Sequence, residues 1–390
     1  MGLKLASSMS RLGTETAFEV LALAREMEYK GFNIIHFEIG EPDFDTPSHI
    51  KDAAIEALKE GFTHYTPSQG IRELREAIAD KVRDDYGVDF DPNRNIVVMP
   101  GAKPCIFAAM LALLDPGDEV IIPSPAYPIY ESIANFVGAK PVLIPVHEEN
   151  EFRLTVDAVV DNITDRTKII VVNTPCNPTG SMLSASDVKG IAEVAKEKGI
   201  YILADEVYSK IVFEDPHYSF LKEFDDNIIV VDGFSKTYAM TGWRLGYAIA
   251  NTTLIEHMTK LQINIVSCPV AFVQKAAIAA LRGSQDCAKS MVEEYRRRRD
   301  IIYDLLRKID GVRVIRPKGA FYIFPNVSSY GLKSVDVMKY LLAEARVAVL
   351  HGTAFGQHGE GYLRLSYALS REMIVEGLKR VREALDKLRG

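Results

Sequence analysis

Val231–Gly246 reads VDGFSKTYAMTGWRLG, and the segments on either side of it set the fold. Before it lies a β-rich run, Asn227–Asp232, that carries Ser235 and Lys236 to the mouth of a turn. After it, Trp243 and Arg244 lead into a second apolar run, Leu245–Ala250. A lysine at a strand end, with a hydroxyl before it and a guanidinium close behind, is placed to condense with an aldehyde cofactor while its neighbours hold a phosphate. Taken alone, the pair reads more simply as a helix N-cap at Ser235 beside an exposed lysine. The rest of the chain decides between the two.

Outward from this stretch, short β-branched runs alternate with helical ones. They are Ile96–Met99, Glu119–Ile122, Pro141–Val146, Lys168–Val172, Tyr201–Ala204, Asn227–Val231 and Gly246–Ala250. Several are apolar throughout, as strands covered on both faces are. Helical patterns lie between most of them, for example Ser186–Lys198 with Val188, Ile191 and Val194 on one side. The expected fold class is α/β: a large domain, residues 48–284, with a mostly parallel seven-stranded sheet sandwiched by helices. Beyond about residue 280 a long helical segment, Asp286–Ile309, precedes strand-like runs at Val312–Ile315, Phe321–Phe324, Val347–Leu350 and Tyr362–Ser366. A last amphipathic helix carries Ile374, Leu378, Val381, Leu385 and Leu388. Residues 285–390, completed by the N-terminal segment 1–47, are therefore expected to form a smaller α+β domain. In that segment Thr16–Lys30 reads as a helix, and GEPDFDTP (40–47) is too rich in proline and acid for a regular element. Two further helices, Ser48–Glu60 and one carrying Ile71, Leu74, Ile78, Val82 and Tyr86, flank the turn-rich THYTPSQG, which has Tyr65 at its centre.

A chain of 390 residues exceeds what one core usually serves. Its 47% hydrophobic and 25% charged residues are those of an ordinary globular protein. A net charge of −7 argues against nucleic-acid or anionic-membrane partners. The one basic run, Arg296–Arg299, follows Glu293 and Glu294 in a helical pattern and reads as a solvated helix face. Cys105, Cys176, Cys268 and Cys287 lie far apart, with no CxxC pair and no histidine at metal spacing. Neither a disulfide framework nor a metal site is expected, and a reducing cytoplasm fits. No apolar run approaches membrane-spanning length, the N-terminus lacks a signal-like h-region, and Ala6 spoils the myristoylation pattern at Gly2. The expectation is a soluble cytoplasmic protein.

In an open α/β sheet, ligands bind beyond the carboxyl ends of the strands. Met99 is followed by PGAKPC, a small-residue turn opening a helix, where backbone N–H groups can cradle a phosphate. Ile122 is followed by PSPAYP, which presents Tyr127 at a bend, and Val172 by NTPCNPTG, whose X-Pro units hold Asn177 in extended backbone. Ala204 is followed by Asp205 and, three residues on, Tyr208; Val231 leads to Lys236. A phosphate cradle, an aromatic face, an amide, an acid, a phenol and an amine are together what pyridoxal phosphate requires. The acid keeps the ring nitrogen protonated, so that the ring can accept electrons from a substrate's α-carbon. A desolvated lysine beside cationic groups can fall from its ordinary range to about 7–8 and act as a base.

These motifs carry a resemblance. GEPDFDTP, HYTPSQGIRELREAI, PGAK, PSPAYPIY, NTPCNPTG, DEVYSKIVF, GFSKTYAMTGWRLGY and YLRLSYA occur in the order found in the class I/II aminotransferases of fold type I. The chain resembles the aspartate aminotransferase-like subgroup over essentially its full length. The resemblance implies Lys236 as the Schiff-base lysine and proton shuttle and Asp205 as the partner of the ring nitrogen. It implies Asn177 and Tyr208 as ligands of the ring's 3-oxygen and Tyr127 as the stacking ring. Ser235 and Arg244, with the amides of Gly101, Ala102 and Lys103, correspond to the phosphate cup. Tyr65 sits where the family's tyrosine reaches the phosphate of a neighbouring subunit, which implies a homodimer with shared active sites. Arg364 corresponds to the bidentate clamp of the substrate α-carboxylate, helped by Gly40 and Asn177. Lys103 stands where the subgroup often reads an aspartate side chain, and Thr14 and Thr16 are placed to add hydrogen bonds. Pro104, where glutamine is common, and Cys105 change that turn. The Lys103 position makes aspartate with 2-oxoglutarate, by a ping-pong mechanism, the favoured pair, whereas the changed turn speaks against strict aspartate use and keeps alanine, aromatic amino acids, kynurenine and methionine as alternatives. A lyase or synthase of the same fold would keep every cofactor residue and differ only in the fate of the carbanion left once the α-proton is removed.

Overall fold

The computed structural model describes residues 4–389, so the Gly2 position weighed for lipidation lies outside the described residues. A two-residue strand, β1 (Ile35–His36), comes first. Seven strands then make the main sheet: β2 (Ile96–Met99), β3 (Glu119–Ser124), β4 (Lys140–Pro145), β5 (Thr167–Asn173), β6 (Tyr201–Asp205), β7 (Ile228–Gly233) and β8 (Gly246–Ile249). Their spatial order is β2-β8-β7-β6-β5-β3-β4. The pairs β3–β4, β3–β5, β5–β6 and β6–β7 are parallel, and β8 runs antiparallel to both β2 and β7. Every strand of this sheet ends within two residues of its sequence reading.

Alternate residues of these strands face opposite sides, which is why the runs are apolar throughout. Val97, Ile122, Val171, Leu203, Ile229 and Val231 point into one core, and Val98, Ile121, Val172, Ile202, Ile228 and Val230 into the other. Helices cover both faces. Ala102–Leu113 packs against β7 and β8, and Ala185–Lys198 against β6. All crossovers between parallel strands therefore leave polar turn residues at one end of the sheet, around Asn173, Asp205 and Gly233.

The C-terminal part is more broken than its sequence suggests. Its strands are β9 (Tyr322–Ile323), β10 (Val347–Ala348), β11 (Leu350–His351) and β12 (Leu363–Ser366). The run Val347–Leu350 is two strands: β10 pairs in parallel with β1, whereas β11 joins the antiparallel sheet β11-β12-β9. Val312–Ile315 forms no strand; it makes a single bridge between Arg313 and Asn326. The helices Asp286–Leu306 and Arg371–Arg389 stand where periodicity places them. Among the described residues no helix is long and apolar enough to cross a membrane.

The basic run is only half a solvated face. Arg296 and Arg297 do pair with Glu293 at the surface. Arg298 and Arg299, by contrast, are buried: Arg298 reaches Asp43 at 2.7 Å, and Arg299 grips Glu214 through two nitrogens at 2.6 and 2.7 Å. A helix presents successive residues 100° apart, so four arginines in a row cannot all face water. Two of them pin loops, one of which is GEPDFDTP.

Candidate active site

The carboxyl ends of β5, β6 and β7 open onto a cavity of about 490 Å³. Of the residues singled out from sequence, Gly40, Ala102, Lys103, Tyr127, Asn177, Asp205, Tyr208, Ser235, Lys236, Arg244 and Arg364 line it. Gly101 lies just behind, under Arg244. Tyr65 is 90% exposed and does not line the cavity of its own chain. Thr16 lines the cavity and Thr14 does not.

No helix follows Ser235; residues 234–239 are a turn, so the N-cap reading of that residue fails. The turn brings Lys236 inward, where its Nζ donates to the carbonyl of Gly40 at 2.7 Å. Phe321 and Tyr208 wall it, with ring centres 5.6 and 5.8 Å from Nζ. Burial, with help from Arg364 and Arg244 against Glu41 and Glu15, pulls the lysine down to about 8. GEPDFDTP is the clamp on this turn: Thr46 Oγ1 donates to the Ala239 carbonyl and accepts from Trp243 Nε1, and Thr241 donates to Glu41.

Asp205 ends β6 and is 4% exposed. Burial pushes its carboxyl up to about 6, opposed by the Tyr130 hydroxyl at 2.7 Å and the Val207 amide at 3.3 Å. No cation bonds it among the described residues, so it is a buried acid waiting for a positive partner. Asn173 donates to the Asp205 carbonyl and accepts from the Asn177 amide, which fixes Asn177 beside the acid. Tyr208 shares a hydrogen bond of 2.8 Å with Tyr322.

At the other side, Gly101 has φ 110°, and a side chain there would come within 2.8 Å of Arg244 Nη2. Glycine thus lets the guanidinium lie over the start of the helix Ala102–Leu113, whose first turn no side chain caps. Pro104 sits in that first turn, where its missing N–H costs nothing. The result is a cationic, amide-lined cup suited to a phosphate.

Arg364, on β12, is 3% exposed. One terminal nitrogen donates to the Glu38 carbonyl, the other meets Asn177 Oδ1 at 3.5 Å, and its buried Nε lacks a partner among the described residues. A desolvated guanidinium with an idle donor is fit for a carboxylate. Gly40 is required because a side chain there would run into the Tyr322 hydroxyl.

Three residues of the site escaped the sequence reading. Tyr130, three residues after Tyr127 at a helix start, shares its face and could have been found by that spacing. Tyr322 carried a weaker signal, a buried phenol that needs a partner. Glu15 carried none: its partners Lys103 and Tyr127 are 88 and 112 residues away.

Known proteins resemble this chain along most of its length. The family model for aminotransferase class I and II matches residues 33–381. An aspartate aminotransferase of Pyrococcus abyssi is 45% identical over 90% of this chain and 92% of that protein. An aromatic-amino-acid aminotransferase of Thermococcus litoralis is 43% identical over 90% of this chain and 92% of its own length. The solved structure of Thermus thermophilus aspartate aminotransferase with maleate superposes with a TM-score of 0.95 at 36% identity, covering 98% of this chain and 100% of that one. The chain belongs to the class I and II aminotransferases. It is a transaminase, and enzymes of this family and fold use pyridoxal 5′-phosphate.

Proposed function

We propose that this enzyme moves the amino group of aspartate to 2-oxoglutarate by a ping-pong mechanism, with one cavity serving both half-reactions. The observation that carries the reading is the pairing of two cations in that cavity, Arg364 at its buried end and Lys103 at its open end, one for each carboxylate of a dicarboxylic substrate. Residues 48–284 then form the cofactor-binding domain. Residues 1–47 with 285–390 form the domain that brings Arg364, a division supported by the pairing of β1 with β10.

Pyridoxal phosphate, when bound, supplies an aldehyde for the amine and a ring that takes up the α-carbon's electron pair. Everything else falls to the chain. Ser235, Arg244 and the amides of Gly101, Ala102 and Lys103 hold the phosphate, and Tyr127 stacks on the ring. Asp205 keeps a proton on the ring nitrogen, and Asn177 and Tyr208 hold the ring's oxygen. Arg364, with Asn177 and Gly40, grips the α-carboxylate and so points the α-hydrogen at Lys236. The Lys236 amine, near 8, is then basic enough to take that proton and acidic enough to return it. Tyr65, exposed on its own chain, reaches the phosphate of a second copy in a cytoplasmic homodimer.

The test is a panel of amino-acid donors added singly to the enzyme while the cofactor's visible absorbance is followed. Aspartate and glutamate should each convert the cofactor to its amine form without any oxo acid. Conversion by alanine, phenylalanine, kynurenine or methionine alone would replace the substrate assignment. Release of product with the cofactor left in its aldehyde form would mark a lyase or synthase.

A further inference from the structure

Lys103 is not free to read a substrate. Its Nζ is paired with Glu15, and the same Oε1 of Glu15 accepts the Tyr127 hydroxyl at 3.0 Å. Two donors thus converge on one carboxylate oxygen that the N-terminal segment lays into the cavity. Nothing in the helix Thr16–Tyr29 requires this acid: Glu15 precedes it, and its side chain makes no capping bond. The Lys103 side chain is 41% exposed and that of Glu15 22%, so water reaches the pair and screens it in part, which lets a ligand carboxylate compete for Lys103.

We propose that Glu15 is a specificity residue, an internal carboxylate that holds the side-chain site and that an acidic substrate has to displace. The inference rests on reading Lys103 as the partner of the substrate's side-chain acid. A dicarboxylic ligand can reach Lys103 only by breaking the Glu15–Lys103 pair. An amino acid with an uncharged aliphatic or aromatic side chain leaves the pair closed beneath it. The segment therefore narrows the preference for acids and lets uncharged amino acids share the cavity. The same displacement acts in both half-reactions, because aspartate, glutamate and their oxo acids all carry the second carboxylate.

Glu15→Gln keeps shape and removes the charge. Holoenzyme of wild type, Glu15→Gln, Lys103→Ala and the double variant would be titrated with maleate, a dicarboxylate, and with 3-phenylpropionate, which has one carboxylate and an apolar tail. Glu15→Gln should tighten maleate by about fivefold and leave 3-phenylpropionate unchanged. In the Lys103→Ala background the maleate gain should vanish. Equal tightening of both ligands, no tightening, or a gain that survives loss of Lys103 would each overturn the proposal. Single-turnover reaction with aspartate, glutamate and phenylalanine separates the two readings. If wild type turns over neither acidic donor, the substrate assignment fails, while the maleate ratio still decides the role of Glu15.

Discussion

At the inner end of the cavity Asp205, Tyr208 and Arg364 are 4%, 4% and 3% exposed, and each is held by a neighbour that is itself buried. At the outer end Lys103 and Glu15 are far more open and lean on each other from segments distant in sequence. The inner groups are desolvated, so their proton affinities move: the lysine falls to about 8 and the aspartate rises to about 6. The outer pair is screened by water, and the same Coulomb attraction is worth little there. Chemistry needs perturbed groups in fixed places, whereas substrate choice needs a contact that can be exchanged. One cavity supplies both because its inner groups are packed into the core, whereas its outer pair joins the start of the helix Ala102–Leu113 to the N-terminal segment.

The contrast between the two ends breaks most visibly at Lys236. Lys236→Ala should lower turnover by at least about 10⁴-fold, since both the amine and the proton carrier are lost. Normal turnover by that variant would remove the inner end from the mechanism. Next is Arg364→Lys, which keeps charge but not the fork. It should cost roughly 100-fold in kcat/KM for every donor alike, because all of them present an α-carboxylate. A loss confined to acidic donors would mean that Arg364 and Lys103 have been assigned to the wrong ends.

Stability sharpens the same contrast. In the cofactor-free protein the Lys236 amine sits near 8, below its ordinary 10.5. A group depressed on folding contributes its full stability above its unfolded value and loses it as pH falls through the folded one. Wild type should thus carry a penalty at pH 7 that fades between pH 8 and about 10.5. Lys236→Met should raise the unfolding free energy measured in urea at pH 7 by about 2 kcal/mol, less than the shift alone would give because the cavity admits solvent. The gap should shrink by pH 9.5. A pH-independent gap would mean that packing, and not charge burial, separates the two proteins.

Legibility followed the same divide. Most of the main strands were readable because they are buried on both faces, and burial writes itself as an uninterrupted apolar run; the edge strand β4 is only partly buried. Asp205, Asn177 and Lys236 were readable because they stand where such runs stop. Val347–Leu350 misled because strands of two residues leave no periodicity: Val349 turns the chain from one small sheet into another. Arg298 and Arg299 misled because their partners, Asp43 and Glu214, are remote in sequence and a buried arginine is spelled like a solvated one. Glu15 was silent for the same reason. A polar contact between segments distant in sequence leaves no local pattern, which is why Glu15 carried no signal although its partner Lys103 did.

The smallest effect belongs to Tyr130, which tests whether the inner end is tuned or merely packed. Its ring is fully buried, and its hydroxyl donates to Asp205 at 2.7 Å. That bond favours the carboxylate and so holds Asp205 below the value burial would impose. In Tyr130→Phe the acid keeps only the Val207 amide at 3.3 Å, and it should titrate higher still. A hydrogen bond to a charged acceptor is worth about 1.5 kcal/mol net, or roughly tenfold in proton affinity, of which about fivefold shows at pH 6 because half of the wild-type acid is protonated there as well. A ring nitrogen pairs with the carboxylate form, so the loss must depend on pH. Pyridoxal phosphate added to the cofactor-free variant should bind about fivefold more weakly than to wild type at pH 6, where the variant's acid is protonated. At pH 8.5 both proteins hold the carboxylate, and the affinities should converge. An equal loss at both pH values would show that Tyr130 fills space beside Asp205 without setting its charge. The acid's readiness for a cation would then rest on burial and backbone alone.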